Sequence, residues 1–404
     1  MTLNLEKLMK YDLIEDLESK IQDEKKLKML CDFIGLYQQI HSVDQFIRDY
    51  PSQPGSTDKI RRSEFVSSVG ATLAIEGTIL TKEEIEISFQ KANLHKANLH
   101  KELERKEQET QNTKRAYDYI IDLVVKNQTD KFIYKEEYIK QIHKHLTDNI
   151  EYGLNAPGQY RDVNPIYGEP PRRSLCSTKA LVEMAMSKFA DWLNKDGTGP
   201  LSSNPIVKSI MAHYYLAEIH PFGDGNGRTA RALEALTLFA NRINTYCFWS
   251  LANFWSANRN EYIVYLGNIR STCNPWDYIM WGFNGYLKEV QRIKDLVLNK
   301  AKQLMLMDYV RWLLATKKQQ KQEKKINRRI EGILELLTNS GEMPLDKFLS
   351  YPQIKTLYHK RSEPTRYRDF EKMKNIKLIR IFDKDNTKYI GANYQLLEYL
   401  EYKV

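Results

Sequence analysis

Cysteine is scarce in this sequence, and long apolar runs are absent. Only four cysteines occur in 404 residues, and none belongs to a C-x-x-C pair, which favours reduced thiols over a disulfide framework or a zinc site. No run of about 18 apolar residues appears, so we expect no membrane-spanning helix. Met1 to Leu17 mixes acidic residues with leucines and lacks the basic and apolar regions of a signal peptide. We therefore expect a cytoplasmic protein without membrane partners.

Charge is distributed unevenly along the chain. The net charge is +9, but the segment from Lys300 to Val404 holds 23 Lys and Arg against 13 Asp and Glu, a net charge of +10. A hydrophobic fraction of 42% indicates a globular protein, and the length suits two or three domains. The asymmetry predicts a separate C-terminal module with an acidic partner.

The richest stretch runs from His220 to Arg231 and reads H-P-F-G-D-G-N-G-R-T-A-R. Apolar spacing over Pro205–Ile219 predicts a helix that ends at His220-Pro221, because the residue before proline avoids the α region. Three glycines follow, and helical spacing resumes at Arg228. A glycine-rich turn that leads into a helix N-terminus exposes N–H groups to an anion.

Charged side chains in this stretch add chemistry to the predicted phosphate site. Arg228 and Arg231 are three residues apart, so both project from one face of the first turn towards anionic oxygens. Asp224 is explained as a ligand of Mg²⁺ shared with phosphate. His220, neutral near pH 7, is a candidate base for an attacking hydroxyl. The alternative is a plain joint between two helices, with a buried histidine and two solvated arginines.

The same stretch resembles the H-P-F-x-[D/E]-G-N-G-R-x-x-R signature of Fic-domain proteins. Most characterised members of that family are adenylyltransferases, which move AMP from ATP to a hydroxyl side chain of a target protein. The resemblance implies that His220 is the base and Asp224 the Mg²⁺ ligand. It also implies a set of nucleotide contacts: Gly225, Asn226 and Gly227 for the α- and β-phosphates, Arg228 for the β-phosphate and Arg231 for the γ-phosphate.

A second pattern lies upstream, on the helix predicted for Lys59 to Glu76. Gly77 offers a C-terminal stop, and Glu76 in the last turn is disfavoured by the helix dipole. Thr72-Leu-Ala-Ile-Glu76-Gly77 resembles the [S/T]-x-x-x-E-[G/N] pattern of the inhibitory helix in Fic proteins. The resemblance implies that Glu76 pairs with Arg231 and so inhibits the enzyme. The alternative is a solvated glutamate before a capping glycine.

Prolines and glycines between Asn155 and Leu175 exclude a continuous helix. Gly158-Gln-Tyr-Arg161 resembles the G-x-[Y/F]-R stretch before the Fic flap, a hairpin that holds the target segment as an added strand. We assign the strand edge of this flap to Val163, Asn164, Pro165, Ile166 and Tyr167. An ordinary surface loop is the alternative.

Residues beyond the motif resemble the segment that lines the nucleotide base pocket in this family. Tyr262 and Asn258 are the candidate contacts, although an aromatic stripe at helical spacing also suits a core. At the other end of the chain, spacing predicts a helix within residues 1–50, with one apolar face formed by Leu27, Leu30, Cys31, Ile34 and Tyr37. Tyr50 to Asp58 is predicted to be a turn and linker.

The C-terminal segment has the pattern of a winged helix-turn-helix. Three helices are predicted, at Ile330–Leu337, Leu345–Leu349 and Glu363–Lys374, followed by strands at Leu378–Phe382 and Tyr389–Ile390. Basic and polar residues on or near the third helix favour DNA as a partner: Thr365, Arg366, Tyr367, Arg368 and Lys372. The alternatives are protein contacts or a module that only supports its neighbours.

The sequence therefore predicts a mostly α protein: a helical Fic bundle with a small β-hairpin flap and a C-terminal α+β winged helix. The predicted domains are an N-terminal helical extension (1–58), an inhibitory region (59–100), the Fic domain (101–300) and the winged helix (301–404). The predicted activity is autoinhibited AMP transfer from ATP, with Mg²⁺, to a Ser, Thr or Tyr hydroxyl of a target protein or of the protein itself. The alternatives are AMP removal, transfer of another phosphate-containing group by the same site, or a DNA-binding regulator whose Fic domain senses nucleotide.

Overall fold

The protein was analysed as a computed structural model, in which residues 3–19, 24–50, 54–91, 101–127, 131–151, 153–168, 170–244, 251–315 and 321–400 are described. The chain divides into two compact units, Met1–Lys294 and Asp295–Val404. Most described residues are helical, and the strands form two small antiparallel sheets, so the predicted fold class is confirmed.

The first unit is a helical assembly with one hairpin. Its helices are α1 Leu5–Leu8, α2 Leu13–Ser19, α3 Glu24–Asp49, α4 Pro54–Ile75, α5 Lys82–Lys91, α6 Lys101–Lys126, α7 Glu136–Thr147, α8 Lys179–Asn194, α9 Pro205–Ile219, α10 Asn226–Ala240, α11 Ala252–Ala257 and α12 Arg259–Thr272. Strands β1 Ile166–Tyr167 and β2 Arg172–Arg173 pair in antiparallel register. Helix α13, Trp276–Ala315, begins in this unit and continues into the second.

Helices α9 and α10 pack against each other at the centre of the first unit. Helix α9 begins at Pro205, a favoured first helical residue, and the side chain of Asn204 caps the backbone N–H groups of Ile206 and Val207. Nearly every residue of α9 is buried, including polar Ser209 and His213. The residues that join these two helices are therefore held by a rigid, fully packed pair.

Helix α4 starts earlier than the sequence suggested and ends as it suggested. Pro54 occupies its first turn, so the predicted linker over Tyr50–Asp58 is wrong in its second half; a proline that looks like a breaker here starts a helix. At the other end Gly77 has φ of 93°. The N–H of Thr78 bonds to the carbonyl of Leu73 at 3.0 Å, the Schellman ending that positive φ permits.

The helix predicted within residues 1–50 is present in α3, but the apolar residues that predicted it do not mark its buried face. Leu27 is 57% exposed, and Cys31 is exposed as well, whereas Phe33, Ile40 and Ile47 are buried. These three recur every seven residues, so a narrower stripe than the predicted one packs against the unit. Phe33, for example, contacts the ring of Phe283 with centroids 4.8 Å apart.

The second unit contains the end of α13 and a small α+β assembly. Its elements follow in the order α14 Lys321–Ser340, β3 Met343–Pro344, α15 Leu345–Ser350, α16 Pro352–Leu357, α17 Glu363–Asn375, β4 Ile379–Lys384, β5 Thr387–Ala392 and α18 Gln395–Leu400. Strand β5 lies between β3 and β4. Asp385 and Asn386 both have positive φ in the two-residue turn between β4 and β5. The predicted three helices and hairpin are thus present, with longer strands.

Two features of the described residues bear on the expectations about membrane-spanning helices and cysteines. Among these residues, none of the helices combines the length and apolarity that a bilayer crossing needs. Cys31, Cys176 and Cys273 are free thiols, and Cys247 lies outside the described residues.

Candidate active site

The residues His220 to Arg231 form the turn between α9 and α10 and the first turns of α10. His220 has φ of 51°, and Gly225, the residue before α10, has φ of 72°. The side chain of Asn226 stabilises the turn through two hydrogen bonds to Phe222. Its oxygen accepts from the Phe222 N–H, and its nitrogen donates to the Phe222 carbonyl, both at 2.9 Å. The free N–H groups at the start of α10 therefore face one cavity in a fixed geometry.

A cavity of about 400 Å³ opens beside this turn. Most of the site residues predicted from the sequence line this cavity: Glu76, Pro165, Ile166, Tyr167, His220, Asp224, Gly225, Asn226, Gly227, Arg231 and Tyr262. Arg228 lies beside it, paired with Asp224. A volume of this size and a lining of arginines, N–H groups and apolar side chains suit a nucleotide.

His220 is a neutral base. Burial lowers the pKa of His220 to about 3, and the nearby arginines push in the same direction. Its Nδ1 lies 3.4 Å from the carbonyl of Ala217, which can only accept a hydrogen bond, so Nδ1 carries the proton and Nε2 has the free lone pair. The ring of Tyr167 stacks on the imidazole, with centroids 3.7 Å apart and planes 11° apart. This stacking contributes to the burial that keeps the imidazole neutral.

Asp224 presents the carboxylate of the turn. Its side chain is 35% exposed, and Oδ2 accepts from Nη2 of Arg228 at 3.0 Å. Within the described ranges no cluster of three or more His, Cys, Asp or Glu side chains could hold a metal ion by itself. Mg²⁺ is commonly held by one or two carboxylates together with substrate phosphates and water. A single carboxylate next to an anion-binding turn therefore fits Mg²⁺ that is shared with phosphate.

Arg231 is held by α4. Its Nε donates to Oγ1 of Thr72 at 2.8 Å, and Nη2 donates to Oε1 of Glu76 at 2.6 Å. The guanidinium is 1% exposed, and the carboxylate is 39% exposed towards the cavity. Burial is the largest influence and acts to raise the pKa of the Glu76 carboxyl, but the charge and hydrogen bond of Arg231, together with the charges of Arg228 and Arg259, outweigh burial, and the pKa lies below its ordinary value. The pair is ionised at neutral pH.

Glu76 lies over the anion-binding turn itself. A Cβ atom added to Gly227 would come within 2.5 Å of Oε1 of Glu76, so a side chain at this position would collide with the carboxylate. The carboxylate thus occupies space directly above the first turn of α10, where a phosphate oxygen would meet the free N–H groups.

The hairpin of β1 and β2 lies along the mouth of the cavity. Ile166 pairs with Arg173, and Tyr167 pairs with Arg172. Ile166 is 62% exposed. Before the hairpin, the side-chain amide of Asn164 donates to the carbonyl of Ser174, and Val163 is half exposed. All five residues assigned to the flap therefore lie in or directly before β1.

The buried carboxylate of Glu218 links this hairpin to α9 and α12 through ion pairs. Glu218 on α9 pairs with Arg172 at 3.3 Å and with Arg270 of α12 at 2.7 Å. Burial raises the pKa of the Glu218 carboxyl, while the two arginines act to lower it. The hydroxyl of Tyr167 donates to the backbone carbonyl of Glu218 at 3.3 Å. This network keeps Tyr167 over His220.

The two candidate contacts of the nucleotide base differ in position. Tyr262 lines the cavity, and its hydroxyl lies 2.8 Å from Nε2 of His213 in a buried network. Burial raises the pKa of Tyr262 to about 12, so the phenol is neutral. Asn258 stands between α11 and α12, where its side-chain amide donates to the carbonyl of Phe254 at 2.8 Å instead of lining the cavity.

Three residues in or beside the site were not predicted as site residues from the sequence: Arg161, Glu218 and Arg259. Arg161 donates to the carbonyls of His220 and Cys176, both at 2.6 Å, and so ties the catalytic turn to the segment after the hairpin. Arg259 lines the cavity and donates to the carbonyl of Ile75 at the end of α4. Only Arg161, inside a matched tetrapeptide, carried a signal in the sequence; Arg259 and Glu218 are charged residues in ordinary helices.

Comparison with known proteins agrees with this geometry. Residues 133–238 match the Fic/DOC family. Protein adenylyltransferase Fic of Drosophila mojavensis is 48% identical over 102 residues, which cover 24% of this chain and 19% of that protein. Protein adenylyltransferase fic-1 of Caenorhabditis elegans is 50% identical over 53 residues, 13% of this chain and 10% of that protein. The chain therefore matches only about a tenth to a fifth of the length of these relatives.

A similar fold has been solved by crystallography. The Fic family protein from Desulfovibrio desulfuricans G20 aligns with a TM-score of 0.52 over 88% of this chain and 94% of its own, at 18% identity. That likeness concerns the fold alone. The family match covers α7 to α10, the hairpin and the whole turn from His220 to Arg231. Residues 133–238 of this chain thus form a Fic domain of the Fic/DOC family.

Proposed function

We propose that the protein is an adenylyltransferase that moves AMP from ATP to a Ser, Thr or Tyr hydroxyl of a target protein, and that Glu76 restrains this activity. One observation carries the proposal: a neutral histidine base and an anion-binding helix start share a nucleotide-sized cavity, in which Glu76 already occupies part of the anion site. The names of the Drosophila and Caenorhabditis relatives support the same chemistry.

The protein groups divide the work of the reaction. The N–H groups at the start of α10 bind the phosphates of ATP, and Arg228 and Arg231 add positive charge. Nε2 of His220 accepts the proton of the attacking hydroxyl. The hydroxyl oxygen bonds to the α-phosphorus, the bond from that phosphorus to the bridging oxygen breaks, and pyrophosphate leaves. Asp224 would hold Mg²⁺ together with the phosphates, and the ion would supply charge neutralisation.

Glu76 competes with the γ-phosphate for Arg231. The carboxylate and a terminal phosphate are both anions, and the guanidinium binds either of them in the same space above Gly227. With Glu76 in place, ATP loses the contact that aligns its α-phosphorus with the base. Helix α4, in the region assigned to inhibition, must therefore shift, or its Glu76 side chain must turn away, before efficient transfer.

The hairpin provides the place where an acceptor segment binds. Strand β1 carries an exposed Ile166 next to Tyr167, which contacts the base. An extended segment can pair with a strand edge through its main chain, whatever its side chains. We propose that the acceptor hydroxyl reaches His220 in this way, and that the segment comes from a target protein or from another copy of the protein.

A labelled-nucleotide experiment tests the proposed reaction. The Glu76→Gly protein is incubated with ATP labelled at the α- or the γ-phosphate, with and without Mg²⁺, and protein-bound label is measured. Label from the α position alone supports AMP transfer, and label from the γ position indicates transfer of a different group. Absence of protein-bound label would favour AMP removal or nucleotide sensing. His220→Ala in the same background should retain ATP binding and lose transfer.

The second unit favours DNA binding as a second function. Its helices and strands follow an order similar to that of a winged helix-turn-helix, with α16 as an additional helix, and Tyr367, Arg368 and Lys372 are exposed on α17. Fluorescence anisotropy of the full-length protein with duplex DNA tests this idea. Binding that weakens with salt and with Arg368→Glu supports it. Absence of binding at low salt rejects it and favours a protein contact.

A further inference from the structure

His143 lies outside the sequence motif and inside the site. It is a residue of α7, with 0% of its surface exposed. Its ring stacks on Phe222 with centroids 3.7 Å apart and planes 3° apart. The backbone N–H of Gly158 donates to Nδ1 at 3.0 Å, and Nε2 lies 2.9 Å from the backbone carbonyl of Asp224. One imidazole thus connects the segment before the hairpin with the turn that carries the metal-binding carboxylate.

The two neighbours fix the proton on the ring. A backbone N–H can only donate, so Nδ1 of His143 must be the acceptor for Gly158. A backbone carbonyl can only accept, so Nε2 must carry the hydrogen that bonds to Asp224. The imidazole is therefore neutral and has a single tautomer. Only a rotation of the ring could exchange the positions of Nδ1 and Nε2 between these two partners, and the parallel stacking on Phe222 opposes that rotation.

The position of Asp224 depends on this bond. With its carbonyl directed at α7, the Asp224 peptide is fixed while its carboxylate faces the cavity and Arg228. The next residue, Gly225, is packed against the same imidazole: an added Cβ would lie 3.5 Å from the ring and 2.7 Å from Thr147. His143 thus packs against the turn without being one of the residues that line the cavity.

We propose that His143 is a positioning residue for AMP transfer, which acts as the Nε2–H tautomer and holds the Asp224 peptide in the geometry that binds Mg²⁺ and phosphate. This inference rests on the proposed adenylyltransferase function. Removal of a residue that orients a metal ligand through a hydrogen bond typically lowers metal affinity or activity about 10- to 100-fold.

Two substitutions separate the two hydrogen bonds. The amide nitrogen of His143→Gln can reach the place of Nε2 and donate to Asp224, whereas the shorter His143→Asn places its oxygen near Nδ1 and keeps only the bond from Gly158. Both lose the same aromatic stacking. In the full-length Glu76→Gly background, we expect His143→Gln to retain a kcat for AMP transfer at least about tenfold above that of His143→Asn, with similar melting temperatures. His145→Gln, on the same helix, serves as the control.

The outcomes are distinct. A larger kcat for the Gln variant, together with a higher Mg²⁺ requirement for the Asn variant, supports the positioning role. Equal kcat values for the two variants, or a larger one for Asn, would overturn it. If Glu76→Gly itself transfers no AMP, the proposed function fails, and nitrogen-15 NMR of the full-length protein then decides the inference on its own. The Nε2–H tautomer of His143 supports it, and the Nδ1–H tautomer or the imidazolium refutes it.

Discussion

Arg231 Nη2 and Glu76 Oε1 lie 2.6 Å apart, although 155 residues separate them in the chain. The guanidinium is buried, and the carboxylate is partly exposed at the cavity. Because Glu76 follows the last residue of α4, a small movement of that helix end suffices to separate the two charges. Under the proposed function, the strength of this contact should therefore set the basal rate of AMP transfer.

Thr72 strengthens the hold of α4 on Arg231. Its Oγ1 accepts from Nε of Arg231 at 2.8 Å inside the core. Thr72→Val keeps the shape but removes the acceptor, so Nε loses a partner at a cost of about 1–3 kcal/mol. We expect Thr72→Val to loosen the hold of α4 on Arg231 and to raise basal AMP transfer, by less than a substitution of Glu76 does. Thr72→Ser keeps the hydroxyl and should show the parent rate. Equal rates for Val and Ser would contradict this role.

Tyr167 should control the pH profile. Burial lowers the pKa of His220 to about 3, so the base remains unprotonated, and transfer should not lose rate through His220, as the pH falls from 8 to 5. Tyr167→Ala exposes the imidazole to water and should move its pKa up towards the ordinary value of about 6.5. Protonation then removes the base below that pH, so kcat/KM of the variant should fall on the acid side. Tyr167→Phe keeps the stacked ring and should keep the flat profile; an acid limb in the Phe variant would refute the stacking argument.

Asp224 should set the metal requirement. Its carboxylate and that of Glu76, which directly follows α4, are the two acidic groups among the described residues that line the cavity. We expect Asp224→Asn to raise the Mg²⁺ concentration for half-maximal transfer at least about tenfold, which corresponds to roughly 1.4 kcal/mol. Initial rates over a Mg²⁺ series in the Glu76→Gly background measure this effect. The control is Asp196→Asn, which removes an exposed carboxylate; an unchanged Mg²⁺ series for Asp224→Asn would reject the metal assignment.

Asp369 should stabilise the second unit. Its carboxylate accepts from Nε of Arg329 at 2.7 Å and from the hydroxyl of Tyr358 at 3.0 Å, all inside the core. Asp369→Asn removes the carboxylate charge from its buried pair with Arg329, which costs about 3 kcal/mol or more. Calorimetry should show a lower melting transition for this unit. Asp383→Asn, on the exposed hairpin, should leave the transition in place, and equal melting of both variants would argue against the buried pair.

The sequence predicted those parts of the site that are contiguous. Twelve adjacent residues specified the turn between α9 and α10, and Gly77 specified the end of α4. Glu76 could be matched to Arg231 only through a family resemblance, because local spacing does not show which distant charges meet. Glu218 and His143 were missed for the same reason: each finds its partners far along the chain, and each is an ordinary helical residue by pattern.

Two further differences concern helices α3 and α4. The face of α3 was misjudged because several of its apolar residues remain exposed, so apolar spacing alone did not identify the buried stripe. Pro54 was interpreted as part of a turn, although a proline is also favoured in the first turn of a helix. Burial and long-range pairing, not helix periodicity, decided both the core face and the active-site partners.

The rate of AMP transfer by Glu76→Gln, compared with the parent and with the exposed control Glu83→Gln, tests the central claim most directly. The amide keeps the shape of the side chain and removes the charge that competes with the γ-phosphate. With α-labelled ATP and Mg²⁺, we predict at least about a tenfold rise in protein-bound label for Glu76→Gln, a change worth roughly 1.4 kcal/mol, and none for Glu83→Gln. A Glu76→Gln protein that folds, binds ATP and labels no faster than the parent would contradict the account.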